Sequence, residues 1–470
     1  MTDGGPLVES PPTSRKLAAG IAARIVADIS DAGWPEGEVF GSEAELLDRY
    51  GVSRAVFREA VRLLEHQEVA RMRRGPGGGL VVTVPSVESV IQAVMVYLLY
   101  VGARFEEVFE ARQALEQEAV SLAAARLGEE HLVELRDLVA AEANGDVAHH
   151  RVLHVLVAAA SRNPALEFFV DLLHRVTLLY APESEALTSQ VLASSAEAHV
   201  RIVESIVGGD ASRAVRRMRS HLDAEAGFIR GRMPDRPRAE AVFSRSDGGR
   251  TKLAESVARQ VFVEVVDAGW PVGELLGSEA DLMARFDVSR AVLREAVRVL
   301  EHHQVARMRR GPGGGLQVTA PGIDATTVAI ALHLDRIGVE AEHLYEVRRN
   351  LEMTVLDRVI AGVDTDGVEK LEAVLAHPHE TQIEITRLGQ DLHTLLATLS
   401  GNRVLELLTD VIVRLSRGHA RRAPLTSPVP PLEELHAAHR EIVDAITARD
   451  AALARYRMRR HLDTLPRWVF

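Results

Sequence analysis

The sequence contains no cysteine among its 470 residues. Disulfides and thiolate metal sites are therefore excluded, and any bound metal must be held by histidine and carboxylate side chains. No apolar run reaches the roughly 18 residues that a membrane span requires. The N-terminal residues also lack the apolar stretch of a secretion signal. These absences predict a cytoplasmic protein.

Aromatic residues are scarce, at 4%, whereas apolar residues make up 47% and charged residues 26%. Such a composition suits helical domains, and the length favours three to five of them at about 100 to 200 residues each. The net charge of −12 argues against a protein that coats nucleic acid along its whole surface. It leaves room for local basic patches, because binding depends on the charge near the phosphates.

The sequence repeats itself at half its length. MRRGPGGGL stands at 72–80 and again at 308–316, an offset of 236, and residues 41–80 match 277–316 at 31 of 40 positions. Similarity continues more weakly, from EARQALE to EVRRNLE and from RRMRSHLD to YRMRRHLD. We therefore predict a tandem duplication. Its first half (14–230) and second half (251–470) are separated by a linker rich in Pro, Gly and Ser, residues 231–250.

The first part of each half predicts a winged helix-turn-helix, at 14–85 and 251–321. One amphipathic helix is followed by a second that begins with a Ser42–Glu45 capping box, and Ser53 can cap a third. The apolar face of that third helix comprises Val56, Ala60, Leu63 and Leu64. ARMRR, the glycines and LVVTV predict a two-stranded hairpin. The remaining parts, 88–230 and 324–470, show only helical periodicity, so the predicted fold class is mainly α.

Arginines recur along one face of the third predicted helix in each half. They are Arg54, Arg58 and Arg62, and Arg290, Arg294 and Arg298. In a helix-turn-helix this helix enters the major groove, where arginine can donate two hydrogen bonds to guanine. The pattern favours duplex DNA, although a solvated basic face of an ordinary helix would have the same spacing.

The glycine run helps to decide between DNA binding and a solvated basic face. A phosphate-binding loop of the Walker type requires a lysine and a following helix, but GPGGGLVVT has no lysine and leads into a β-branched strand. Consecutive glycines suit a narrow wing tip lying near the sugar-phosphate backbone. The residues at the two wings are Arg73, Arg74 and Gly77, and Arg309, Arg310 and Gly313.

Histidines recur in matching contexts of the two helical parts. They are His150, His154, His199 and His221 in the first half, and His393, His439 and His461 in the second. A single histidine on a helix face is more often a packing residue than a ligand. Recurrence of the set makes a shared role more credible.

SEAELLDRYGVSRAVFREAVRLLE followed by RRGPGGG resembles the DNA-binding domain of the GntR superfamily of bacterial regulators, in particular the FadR subfamily. The resemblance implies contacts with a double-stranded DNA operator through both third helices, including their capping residues Ser53 and Ser289, and through both wings. One departure is that Ala44 and Ala280 stand where the family often has an arginine.

The helical parts resemble the FCD domain of the same subfamily. That resemblance implies a divalent metal held by the seven histidines and a small carboxylate effector near Arg112 and Arg348. His150 stands where the family has Asp, and an all-nitrogen set favours zinc or nickel. In the second half Gly389 stands at that position, so Gln390 or His436 would have to supply a fourth group.

The resemblance thus implies a transcription regulator, a repressor released by its effector, with activation as the alternative. The two fused halves would act as a pseudo-dimer on a pseudo-palindromic operator, the chain itself being a monomer or pairing again as a homodimer. We find no nucleophile constellation and predict no enzyme. The competing hypothesis is a metal-dependent enzyme or sensor scaffold with structural winged domains.

Overall fold

The computed structural model describes residues 14–75, 77–83, 86–143, 150–181, 189–234, 237–243, 249–311, 313–376, 392–422 and 432–464. The chain divides into two compact units. The first unit comprises Met1–Val90 and Asp335–Ile337, and the second comprises Ile91–Leu334 and Gly338–Phe470. In the described residues, no helix is long and apolar enough to cross a membrane.

The first unit contains a winged helix-turn-helix. Its elements are α1 (Ser14–Asp31), β1 (Val39–Gly41), α2 (Glu43–Tyr50), α3 (Arg54–His66), β2 (Ala70–Arg73) and β3 (Gly79–Val82). Ser42 and Glu45 form the predicted capping box, and the Ser53 side chain accepts from the backbone N–H of Val56. Gly51 ends α2 in the left-handed conformation that the tight turn requires, at φ 62°.

The apolar face of α3 is broader than the sequence indicated. Val56, Ala60 and Leu64 are buried as predicted, Leu63 is half-buried, and Phe57 and Val61 are also buried. The sheet likewise has one strand more than the predicted hairpin, because β1 pairs antiparallel with β3 to give the order β1-β3-β2.

The second unit begins with a helical region formed by α4 (Val87–Tyr100), α5 (Phe105–Arg126), α6 (Glu129–Ala143), α7 (His150–Ala160), α8 (Pro164–Thr177), α9 (Ser189–Val207) and α10 (Ala211–Arg230). The first residues of α4 belong to the first unit. We call α4–α10 the first helical region. It contains no strand among its described residues.

A second winged fold follows in the same unit. It comprises α11 (Gly249–Asp267), α12 (Glu279–Phe286), α13 (Arg290–His302), β4 (Ala306–Arg309) and β5 (Gly315–Val318). Here a single bridge between Leu275 and Gln317 stands in place of the third strand.

The second helical region contains α14 (Ile323–Arg336), α15 (Ala341–Gly362), α16 (Thr365–Ala376), α17 with 392–399 described, α18 (Arg403–Arg422), α19 (Leu432–Thr447) and α20 (Ala451–Thr464). Its described residues are helical or in the turns between helices.

Part of the predicted linker is packed. Ala239, Val242 and Phe243 are buried, and the Phe243 ring meets that of Phe262 edge to face with centroids 5.1 Å apart. The backbone N–H of Arg238 donates to the carbonyl of Leu179 at 2.7 Å. This stretch is therefore held against both halves, since Leu179 follows α8 and Phe262 lies on α11.

The two helical regions contact each other through reciprocal hydrogen bonds. Asn163 Nδ2 donates to Glu346 at 2.9 Å, and its counterpart Asn402 Nδ2 donates to Glu110 at 2.8 Å. The same two amides also donate to the carbonyls of His343 and Glu107. Contacts in which each side repeats the other are the signature of an isologous interface.

Candidate functional site

The arginines of α3 lie on its exposed face. The side chains of Arg54, Arg58 and Arg62 are 67%, 66% and 73% exposed. Arg54 and Arg58 share one carboxylate, Glu43, at 3.3 and 3.6 Å. Because Glu43 is the first residue of α2, it ties the start of that helix to α3.

The second winged fold repeats this arrangement. Arg290, Arg294 and Arg298 are 64%, 66% and 73% exposed, and Glu279 contacts the first two at 3.4 and 3.3 Å. Exposed pairs of this kind contribute little stability, so the guanidinium groups remain available to an incoming phosphate or base. The sequence interpretation did not include either glutamate, although each stands two residues after Gly41 or Gly277.

The glycine run is required by the backbone of the wing. Gly75 and Gly77 have φ of 99° and 68°, which a bulkier residue adopts only with strain. A Cβ on Gly79 would lie 2.5 Å from the carbonyl oxygen of Gly41. Arg73 Nη2 donates to the carbonyl of Gly77 at 2.9 Å, so this arginine folds back over the tip. The second wing repeats the contact between Arg309 and Gly313.

Three histidines of the first half converge in the first helical region. His154 (α7), His199 (α9) and His221 (α10) are all buried. Nε2 of His221 lies 3.2 Å from that of His199 and 3.3 Å from that of His154. His150 begins α7, but its side chain lies outside the described residues.

The second half builds the same triangle. His439 and His461 bring their Nε2 atoms to 3.2 Å, and His461 and His393 to 3.3 Å. Burial and the neighbouring imidazoles hold the pKa of His439 and of His461 well below the ordinary value. Gly389 and Gln390 lie outside the described residues, and His436 is not part of the triangle.

Three of these imidazole rings have a glutamate at Nδ1, on the side of the ring opposite the Nε2 triangle. Glu116 contacts Nδ1 of His154, Glu142 contacts Nδ1 of His199 at 2.7 Å, and Glu352 contacts Nδ1 of His393 at 2.5 Å. A carboxylate that is hydrogen-bonded to Nδ1, as at His154 and His199, fixes the proton there and leaves the Nε2 lone pair facing the triangle. These glutamates are the functional residues that the sequence interpretation missed. For Glu116 and Glu352 the signal was their place four residues after Arg112 and Arg348.

Each glutamate of α5 and α15 also binds an arginine. Arg112 Nε donates to Glu116 at 2.8 Å, and Arg348 Nε donates to Glu352 at 2.5 Å. In both halves one carboxylate therefore lies between a guanidinium and a histidine triangle, and the guanidinium is buried in Arg112 and partly exposed in Arg348.

Two known protein families match the regions that carry these features. The model of the FCD domain matches residues 107–224 and 343–464, about half of the chain, and the model of bacterial regulatory proteins of the gntR family matches residues 17–80. The chain is a GntR-family regulator with FCD domains.

Relatives of this GntR-family chain are about half its length. The uncharacterized HTH-type transcriptional regulator YcbG of Bacillus subtilis is 27% identical over 212 residues, which is 44% of this chain and 88% of that protein. The Uxu operon regulator of Haemophilus influenzae is 25% identical, covering 42% of this chain and 74% of its own length. The solved structure of Streptococcus agalactiae GntR matches at 22% identity with a TM-score of 0.34, covering 46% of this chain and 99% of that structure.

The FCD histidine triangles fit a divalent metal. Tetrahedral zinc with Zn–N bonds of about 2.0–2.1 Å places its nitrogen ligands about 3.3 Å apart. Two of the three Nε2 separations in each triangle, those that involve His221 or His461, are 3.2 and 3.3 Å. An imidazole with its Nδ1 proton directed at a carboxylate, as in His154 and His199, is in the form that ligates a metal through Nε2.

Proposed function

We propose that this GntR-family regulator is a tandem duplication whose two halves act as an intramolecular pseudo-dimer on a pseudo-palindromic operator. The observation that carries the proposal is that both halves present the same exposed arginine face and the same glycine wing, while their FCD domains meet through reciprocal asparagine–glutamate contacts. Two DNA-binding domains related by a two-fold axis match the two half-sites of a pseudo-palindromic operator.

The residues proposed to contact DNA are those of the two α3-type helices and the two wings. They are Ser53, Arg54, Arg58, Arg62, Arg73, Arg74 and Gly77, and Ser289, Arg290, Arg294, Arg298, Arg309, Arg310 and Gly313. The arginines would supply base and phosphate contacts. The glycines would let the wing tips approach the minor groove.

The FCD domains would sense a small carboxylate. A divalent metal, zinc or nickel, would be held by His154, His199 and His221 and by the matching triangle of the second half, and would supply positive charge beside the effector. An arginine that shares a glutamate with a triangle, Arg112 or Arg348, would pair with the effector carboxylate. Effector binding would favour a state of the chain that does not hold DNA, so that the regulator acts as a repressor.

A gel-shift series with DNA from upstream of the chain's own gene tests this function. We expect sequence-specific retardation by the metal-loaded chain and its loss with one member of a panel of short carboxylates. The matched control is the same chain with Arg54, Arg58, Arg290 and Arg294 changed to Ala. Retardation that is equal for this variant, or that shows no sequence preference, would refute the regulator proposal.

A further inference from the structure

The guanidinium of Arg112 is already fully occupied by a carboxylate of its own chain. Nη1 donates to Glu225 Oε1 at 2.9 Å, and Nη2 donates to Glu225 Oε2 at 3.0 Å. Two parallel bonds of this kind are the arrangement by which arginine recognises a small carboxylate. The Arg112 side chain has no exposed surface, and Glu225 lies on the His221 face of α10, four residues on.

The described residues of the second half hold no such occupant. Arg348 retains its bond to Glu352, but no other carboxylate among the described residues lies within ion-pair distance of it. The sequence explains the difference, since Leu465 stands where the first half has Glu225, at the same spacing from the HLD motif. Leu465 itself lies outside the described residues.

The two halves also differ at other positions around the arginine. His174 Nε2 lies 3.0 Å from Arg112 Nη2, and Thr177 Oγ1 accepts from Nη1 at 3.4 Å. The corresponding residues of α18 are Val413 and Ser416. Arg112 is thus surrounded by polar partners of its own chain, and at the position of His174 the second half has the apolar residue Val413.

The two arginine sites also differ in the number of carboxylates that pair with the guanidinium. The guanidinium of Arg112 is paired with two carboxylates, Glu116 and Glu225, whereas that of Arg348 is paired with one among the residues that the structure describes, Glu352. A further anion beside Arg112 would be a third buried carboxylate, which like-charge repulsion disfavours. Beside Arg348, a bound anion would be the second carboxylate, which gives the same number of charges as Arg112 with Glu116 and Glu225.

We propose that Glu225 is a built-in occupant of the first carboxylate site, so that the chain binds one small carboxylate, at Arg348. The inference rests on the proposed function, in that it assigns the effector to one of the two FCD domains. Duplication would have left one sensing site and one site held permanently in its occupied form.

Thermal unfolding of the zinc-loaded full chain tests this, with sodium propionate as the probe because it matches the end of a glutamate side chain. Sodium chloride at equal ionic strength is the reference. We expect propionate to raise the unfolding temperature of the wild type saturably, as a ligand of the folded state does. The variant Arg348→Met should lose this rise.

The double variant Glu225→Ala/Arg348→Met should regain a saturable rise, because Arg112 would be open to propionate. Its matched control, Glu225→Gln/Arg348→Met, keeps the space filled with an uncharged amide and should not respond. A rise in Arg348→Met equal to that of the wild type would overturn the inference, and so would the absence of any rise in Glu225→Ala/Arg348→Met.

The number of propionate ions bound by the wild-type chain tests the proposal even if the variants do not fold. Titration with ¹³C-labelled propionate, followed by NMR, should saturate at one propionate per chain, and saturation at two or at none would contradict the proposal. DNA is absent from every arm of these experiments. Failure of the gel shift would therefore refute the regulator function alone, and a count of two would refute the single site alone.

Discussion

Arg403 forms an ion pair with the buried carboxylate of Glu107, at 3.3 Å, across the contact between the two FCD domains. The corresponding positions on the other side of the contact are Pro164 and His343, which cannot form this pair. The interface thus combines reciprocal bonds with one-sided ones. Glu118, which binds both Arg349 and Asn350, is another one-sided contact.

The one-sided pair predicts unequal effects of mutation at the two matching positions. Arg403→Ala removes one of the two charged partners of Glu107, which keeps its contacts with Arg104 and with the backbone N–H of residue 403. It should lower the free energy of unfolding by about 0.5–1.5 kcal/mol, the net contribution of a typical hydrogen bond. Pro164→Ala, at the matching position, should change it by less. Urea unfolding of the full chain measures both, and equal losses would contradict the assignment.

Cutting the connection between the halves should weaken operator binding. A protease site placed between Phe243 and Gly249 avoids the packed residues of the linker. Cleavage converts an intramolecular pairing into a bimolecular one, so affinity should fall at low protein concentration and recover as concentration rises. Gel shifts over a dilution series before and after cleavage report this. If the cut chain binds equally well at every dilution, the covalent link does not assemble the pair.

Removing the arginines of one recognition helix should lower operator affinity. Arg54→Ala with Arg58→Ala should weaken binding by about 1–3 kcal/mol for each arginine that donates two hydrogen bonds to a base. The same changes at Arg290 and Arg294 provide the matched variant, and both should act alike on a symmetric operator. Affinities measured by fluorescence anisotropy at fixed salt should reveal the weakening. An unchanged affinity would mean that these helices do not enter the groove.

Gly79→Ala should disrupt the first wing. The added methyl would lie 2.5 Å from the carbonyl oxygen of Gly41, a backbone atom that cannot move aside without separating β1 from β3. Gly20→Ala is the control, because that glycine lies within α1 with open space around it, and the change should stabilise the helix by about 0.5–1 kcal/mol. Circular dichroism melting compares them, and a Gly79→Ala chain as stable as the Gly20→Ala chain would contradict the role of this glycine.

The metal content should be two ions per chain. The sequence favoured the first site because Gly389 leaves the second without an obvious fourth ligand, but the two triangles have the same Nε2 separations. His221→Ala should remove one ion and His439→Ala the other. Elemental analysis of the purified chain gives the count, and one ion in the unaltered chain would restore the interpretation from sequence.

The sequence predicted the local structure of the winged regions well, because capping residues and glycines act over a few positions. Ser42, Ser53 and Gly77 all have the roles that their neighbours in the sequence implied. The strand β1 was missed because three residues, VFG, carry no periodicity, and it forms only by pairing with a strand 40 residues later.

The sites were predicted less completely. Histidines could be grouped because the two halves repeat them, but Glu142 and Glu225 are set by helix packing and have no spacing that reveals them. The partners of Asn163 and Asn402 lie in opposite halves of the chain, and no local pattern pairs residues that far apart.

Under the proposed function, the ion pair between Arg112 and Glu225 would also set how steeply the regulator responds to its effector. A symmetric dimer with two equal sites can bind its effector cooperatively, with a Hill coefficient above one. A chain with one of its two sites closed by its own glutamate has a single binding event to report. Under the proposed function, its release from DNA would follow a simple hyperbola in effector concentration, and gene expression would be graded over a wide range instead of switching at a threshold.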